Sequence, residues 1–177
     1  MKDMVSFVSE NYKNIKRLHF EQVTDIQDND LSFYDKFIYN FFEARKIGKD
    51  KGIEVYNSIS NSVNSLRTRF YRGEFCVVPT GDIVSCHRVS SNKENLFNSF
   101  NFGYIEKQIN IDNSKIEKVL SIAKPKKKEC DTCFAKWHCA GGCTLEQLMH
   151  SKEQQSHKCN FTEKIIVKIL EEELITN

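Results

Sequence analysis

Seven cysteines fall between Cys76 and Cys159, and their core follows the spacing Cys130-x2-Cys133-x5-Cys139-x3-Cys143, with Cys159 after a gap. Two residues between cysteines let neighbouring thiolates converge on one ion or cluster, and the longer gaps let the chain wrap around it. Thiolates at this density select zinc or iron–sulfur over hard cations. Burial alone would not cluster seven cysteines, so an ordinary set of inert core thiols explains the pattern poorly. A disulfide framework is the weak alternative, because the count is odd and Met1 to Glu10 lacks the basic-then-apolar layout of an export signal. A structural four-cysteine zinc site competes with iron–sulfur, and His138 beside Cys139 is a spare ligand for it.

The 177 residues suit one ordinary domain or slightly more. With 13 Phe, 6 Tyr and 1 Trp the chain is too aromatic to stay disordered. A net charge of +2, with signs mixed along most of the chain, gives no electrostatic case for nucleic acid. No apolar run approaches the length of a membrane span, so a cytoplasmic protein without a membrane partner is expected.

Punctuation divides the chain near Tyr71. Both prolines, all seven cysteines and five of the seven glycines lie beyond that point. Residues 1–70 read as the end of a helix (Met4 to Tyr12), a strand around Leu18, a long helix and a second strand at Ile53 to Tyr56. The long helix spaces Leu31, Tyr34, Phe37, Ile38, Phe41 and Phe42 along one side, with Asp30 as N-cap and Gly52 as its stop. Strand, helix, strand implies parallel pairing and a piece of a larger α/β structure.

Residues 71–177 read as a small α+β domain. Phe75 to Val78 and Ile83 to Cys86 flank Thr80-Gly81 as a hairpin. A capping box at Thr144 and Gln147 opens a short helix, and one at Asn160 and Glu163 opens a C-terminal helix burying Phe161, Ile165, Ile169 and Leu170. Cys143 and Cys159 would then each precede a helix start, where free N–H groups favour anionic sulfur.

The run Cys130-x2-Cys133-x5-Cys139-x3-Cys143 with Cys159 resembles the signature of the SPASM domain, the C-terminal extension of radical S-adenosylmethionine enzymes that modify peptides and proteins. The stretch Pro79 to Cys86, with four residues between Gly81 and Cys86, is similar to that domain's upstream element, and Cys139-Ala140-Gly141-Gly142-Cys143 is typical of it. Residues 15–66 resemble the last βα units of the partial TIM-like barrel in the same enzymes. The resemblance implies two auxiliary [4Fe-4S] clusters. One would take Cys130, Cys133, Cys139 and Cys159; the other would take Cys86, Cys143 and ligands from further upstream. It also implies a peptide or protein substrate, and auxiliary clusters that help place it and carry electrons.

Two features depart from the family pattern. A cysteine is expected at Tyr71 or earlier, and Cys76 is the only candidate, too close to Gly81. If Thr80-Gly81 is a two-residue turn, Pro79 pairs with Asp82, and Cys76 joins Val78 and Ile83 on the face opposite Cys86. Tyr71 would share the face of Cys86 in a straight strand. Cys76 is then either the missing ligand or an ordinary buried thiol, and the second cluster is complete, incomplete or finished by another residue type.

The radical-generating motif Cys-x3-Cys-x2-Cys is also missing, so this chain alone is expected not to cleave S-adenosylmethionine. It reads as the C-terminal portion of a maturase, from a truncated gene or an internal start. Two alternatives are a split-enzyme subunit, for electron transfer or peptide recognition, that docks on a separate barrel chain, and a zinc-stabilised interaction domain. His87 stands where the sulfatase-maturing branch has its aspartate, and with Arg88 it looks more like the peptide-modifying branches; no catalytic base is assigned. Lys124, Lys126, Lys127, Lys128 and Lys136 crowd the cysteines, either as a solvated basic loop or as compensation for an anionic cluster. Trp137 is as easily core as a shield for the cluster.

Overall fold

The computed structural model describes residues 1–23, 31–63, 75–123 and 129–176. The chain forms two compact units: residues 1–67, 137–139 and 150–177 make the first, and residues 68–136 and 140–149 the second.

In the first unit, helix α1 (Lys2–Asn11) and helix α2 (Leu31–Asp50) pack together, and α2 covers strand β2 (Glu54–Tyr56). Strand β1 (Arg17–His19) pairs with β2 in parallel, with Leu18 opposite Val55. This is the βαβ connection expected from the alternation of apolar runs. Asp30, the expected N-cap of α2, lies outside the described residues, but the other end follows expectation. Ile53 N–H donates to Gly48 O at 2.8 Å and Gly52 N–H to Lys49 O at 3.3 Å, a Schellman closure with Gly52 at φ +68°.

Helix α3 (Ser58–Val63) follows β2, and the long helix α9 (Lys152–Thr176) packs on α2 and α3. The Phe161 ring stands 4.8 Å from Tyr34 and 5.6 Å from Phe37 between centroids, and Arg45 donates to both Val55 O and Glu172. The C-terminal helix therefore belongs to the first unit, whereas the sequence placed it with the cysteine-rich segment. It also begins earlier than expected. Ser151 and Gln154 exchange the two bonds of a capping box, and Asn160 and Glu163 fall inside the helix. Its buried side carries Phe161, Ile165, Ile166 and Ile169, while Leu170 is exposed at the margin.

The second unit holds an antiparallel sheet of strands β3 (Cys76–Val77), β4 (Asp82–Val84), β5 (Asn101–Ile105) and β6 (Ile109–Ile111), in that order. Helices α4 (Phe97–Phe100), α5 (Asn113–Ala123), α6 (Glu129–Thr132) and α8 (Thr144–Met149) complete it. Val78, Val84, Val89, Phe97, Phe100 and Leu145 form its core beside the cysteines. No barrel is closed among the described residues, and no described helix is long and apolar enough to cross a membrane.

Candidate metal centre

The hairpin places the upstream cysteines. Its loop has three residues, Pro79-Thr80-Gly81: Gly81 N–H donates to Val78 O at 2.8 Å and Val78 N–H to Asp82 O at 3.0 Å. Proline pre-sets φ for the first turn position, and Gly81 at φ +88° takes the left-handed position that follows a type I turn. The extra loop residue moves the ladder by one step. Cys76 pairs with Val84, and Val77 with Ile83.

A one-residue change of register carries every side chain of a strand to the other face. Cys76 therefore does not join Ile83 on the face opposite Cys86, as a two-residue turn would require. It shares a side with Val78 and Val84, while Cys86 lies two residues beyond Val84, past the end of β4. Packing agrees with the register, since Cys76, Cys86 and Cys143 all lie against the Val78, Val84 and Leu145 core. Tyr71, where the family pattern expects a cysteine, lies outside the described residues.

Cys143 reaches this place through backbone geometry. Ala140, Gly141 and Gly142 all have positive φ, at 48°, 85° and 84°, and turn the chain into α8. Gln147 N–H donates to Cys143 O at 3.0 Å, so Cys143 rather than Thr144 occupies the cap position. The Gln147 side chain donates to Gly141 O and pins the turn, in place of the expected capping box with Thr144.

Electrostatics ties the three thiols together. Burial pushes the Cys86 thiol above its ordinary range, the Arg88 backbone N–H pulls it down, and Cys143 and Cys76 push it up again as neighbouring sulfurs. Cys76, Cys86 and Cys143 are free thiols, each partly buried. As placed, no three His, Cys, Asp or Glu side chains among the described residues converge on a single ion.

The other expected ligand set divides between the units. In the second unit Cys130 lies in α6 and Cys133 follows it, with Lys136 N–H donating to Cys133 O at 3.1 Å and Lys136 Nζ 3.3 Å from Asp131. In the first unit Cys139 ends α7 (Lys136–Cys139), and Cys159 is exposed within α9 instead of preceding a helix start. His138 Nδ1–H donates to Ser62 O at 2.8 Å, which fixes its tautomer and leaves Nε2 to accept or ligate. Trp137 is exposed, and Lys124, Lys126, Lys127 and Lys128 lie outside the described residues.

The residues that sequence reasoning missed are the pair behind Cys86. Arg88 Nη1 lies 3.6 Å from Glu146 Oε1, and Glu146 is buried in α8 three residues after Cys143. A glutamate amid apolar neighbours in a short helix gives no periodic signal of its own. A scan against models of protein families and a search of curated proteins both returned no match.

Proposed function

We propose that the chain is the auxiliary-cluster portion of a radical S-adenosylmethionine maturase of peptides or proteins, acting in the cytoplasm. The gathering of Cys76, Cys86 and Cys143 around one core carries this reading, because it supplies a third thiol to the upstream site. A cluster has several irons that each take one thiolate, so its ligands need not converge on a single ion. In this reading Cys76, Cys86 and Cys143 hold three irons of one [4Fe-4S] cluster, whose fourth takes a further ligand, and Cys130, Cys133, Cys139 and Cys159 hold the other. When bound, the clusters supply one-electron chemistry. The chain's own part is to hold the sulfurs, exclude water from the Val78–Val84 side and help seat a peptide substrate. Cleavage of S-adenosylmethionine belongs to a barrel that another chain or a longer gene product supplies.

A zinc-stabilised interaction domain is the second reading. It is favoured by His138, whose Nδ1–H is fixed on a backbone carbonyl as in many metal-binding histidines.

Iron, acid-labile sulfide and zinc per chain, after anaerobic reconstitution, separate the two. The first reading expects about eight irons in the wild type, and about four in either Cys86→Ala or Cys133→Ala. Zinc without sulfide overturns it and leaves the zinc domain. Wild-type iron for one cluster that survives Cys86→Ala and is lost in Cys133→Ala removes the upstream site alone.

A further inference from the structure

The parallel sheet of the first unit is covered at one edge and open at the other. At the β2 edge the outward C=O of Val55 accepts from Arg45 at 2.7 Å, and Arg45 is tied to Glu172 of α9. At the β1 edge Glu54 N–H donates to Lys16 O at 2.8 Å and Phe20 N–H to Tyr56 O at 3.0 Å, so Lys16, Leu18 and Phe20 turn their backbone groups toward β2. The N–H and C=O groups of Arg17 and His19 therefore point outward, with no backbone partner among the described residues. Helix α1 is incomplete on the same side. Lys2 and Glu10 share the side of α1 that meets α2: Lys2 Nζ stands 5.9 Å from the Tyr39 ring centroid, and Glu10 lies 3.6 Å from Lys51. Starts and ends thus coincide, and the two helices run in the same direction, as successive crossovers do. Met4 and Phe7 turn away from α2, and both are 52% exposed beside the buried Val5 and Val8. Tyr12, whose ring meets Phe7 at 6.0 Å, and Ile15 continue this exposed apolar flank to the start of β1.

We propose that the outer edge of β1 and the Met4–Phe7 flank of α1 together seat a parallel strand and its helix from a separate radical S-adenosylmethionine barrel chain. The proposal rests on the reading given above for the identity of the partner. A strand–helix–strand crossover is right-handed and its helix packs over the strands it joins, so α1 marks the place of a parallel strand beside β1. An apolar strand there covers Met4 and Phe7 and takes up the Arg17 and His19 backbone groups at once. Parallel sheets are otherwise found with more strands than these and with both faces covered. A second copy of this chain fits the edge poorly. Two-fold edge pairing is antiparallel and sets Arg17 against Arg17 or His19 of the other copy, which brings the basic residues of both together. The exposed Lys13, Lys16 and Arg17 along this edge instead favour a partner with acidic residues beside its strand.

The test places a photoreactive benzophenone side chain at Met4, at Phe7 or, as a control, at the exposed Leu174 of α9, in the full chain expressed in its native cells. Mass spectrometry identifies the cross-linked products. Met4 and Phe7 should each capture a polypeptide carrying Cys-x3-Cys-x2-Cys, and Leu174 should not. Recovery of that polypeptide with the affinity-purified chain should fall about tenfold or more in Phe7→Glu and in Arg17→Pro, with iron per chain unchanged. Proline removes the outward N–H of Arg17 and spares the ladder to β2, which does not use it. Phe7→Glu, at an exposed position, decides the matter if Arg17→Pro does not fold. Capture of that polypeptide from Leu174 alone, or unchanged recovery in the folded variants, overturns the seat while sparing the cluster reading. Absence of any product from Met4 and Phe7 overturns it as well, as does a product that is a second copy of this chain or a polypeptide without the motif. A wild type without iron and sulfide defeats the cluster reading itself, and this proposal with it.

Discussion

Replacing Gly81 by alanine probes the hairpin register on which the placement of Cys76 depends. Gly81 sits at φ +88°, where a Cβ costs about 1–2 kcal/mol. The added methyl would also stand 2.7 Å from Ile105 O, a backbone atom that cannot move away cheaply, because Ile105 N–H donates to Gly81 O at 2.8 Å. Overpacking of this kind costs roughly a further 1–3 kcal/mol. Gly52 is the internal control. It has φ +68°, but a Cβ there meets nothing within 4 Å, so Gly52→Ala carries only the conformational cost of about 1–2 kcal/mol. Urea unfolding of the two variants should therefore differ, with Gly81→Ala the less stable by about 1–3 kcal/mol. Hydrogen exchange adds a local readout, since the Ile105 amide should lose protection in Gly81→Ala and keep it in Gly52→Ala. Equal destabilisation with a protected Ile105 amide would refute the three-residue loop. It would also return Cys76 to the face away from Cys86.

Ser151→Ala should destabilise the first unit by about 1 kcal/mol, while Asn160→Ala, inside α9 and exposed, should be neutral or slightly stabilising in the same thermal unfolding assay. Arg45→Ala should cost about 1–2 kcal/mol, because its half-buried guanidinium joins Val55 O at 2.7 Å and Glu172 at 2.9 Å; urea titration checks this. Asp112 caps α5 by accepting from the Ser114 hydroxyl and from the Ser114 and Lys115 N–H groups, the hydroxyl being the largest cause that lowers its pKa below the ordinary 3.8. Its contribution is thus present above pH 3.8 and is lost as pH falls through the lower folded value, a loss that unfolding followed against pH should show in wild type and not in Asp112→Asn.

The parts of the fold that were legible in the sequence are those with a long period or a single possible partner. The apolar spacing of α2 and its glycine stop appear where the pattern put them, and strand–helix–strand gave parallel pairing. The hairpin was equally visible as two alternating runs around Gly81. Its loop length was not, because Thr80-Gly81 and Pro79-Thr80-Gly81 are both sound turns. The cue was Pro79, which suits the first position of a type I turn and is better placed in the loop than paired in the ladder. The start of α9 failed for a related reason. Ser151-x-x-Gln154 and Asn160-x-x-Glu163 both read as caps, and only packing on α2 and α3 extends the helix through the second.

The same logic governs the site. Spacing could assemble Cys130, Cys133, Cys139 and Cys143 as a motif, because local gaps limit where neighbours can go. It could not place Cys76 against Cys86, since that relation turns on a single residue in the loop. Nor could it reveal Arg88 with Glu146, a pair 58 positions apart in the chain and brought to 3.6 Å by the turn at Ala140 to Gly142. Three backbone devices therefore act on one centre. The three-residue loop chooses the face of Cys76, the left-handed run brings in Cys143, and the turn closed by Val89 N–H on Cys86 O holds the backbone after Cys86. None of them needs a bound metal to form its hydrogen bonds. If a cluster assembles there, it is received by thiols that the protein backbone has already brought to one side of its core, and its ligation adds to the stability of the second unit.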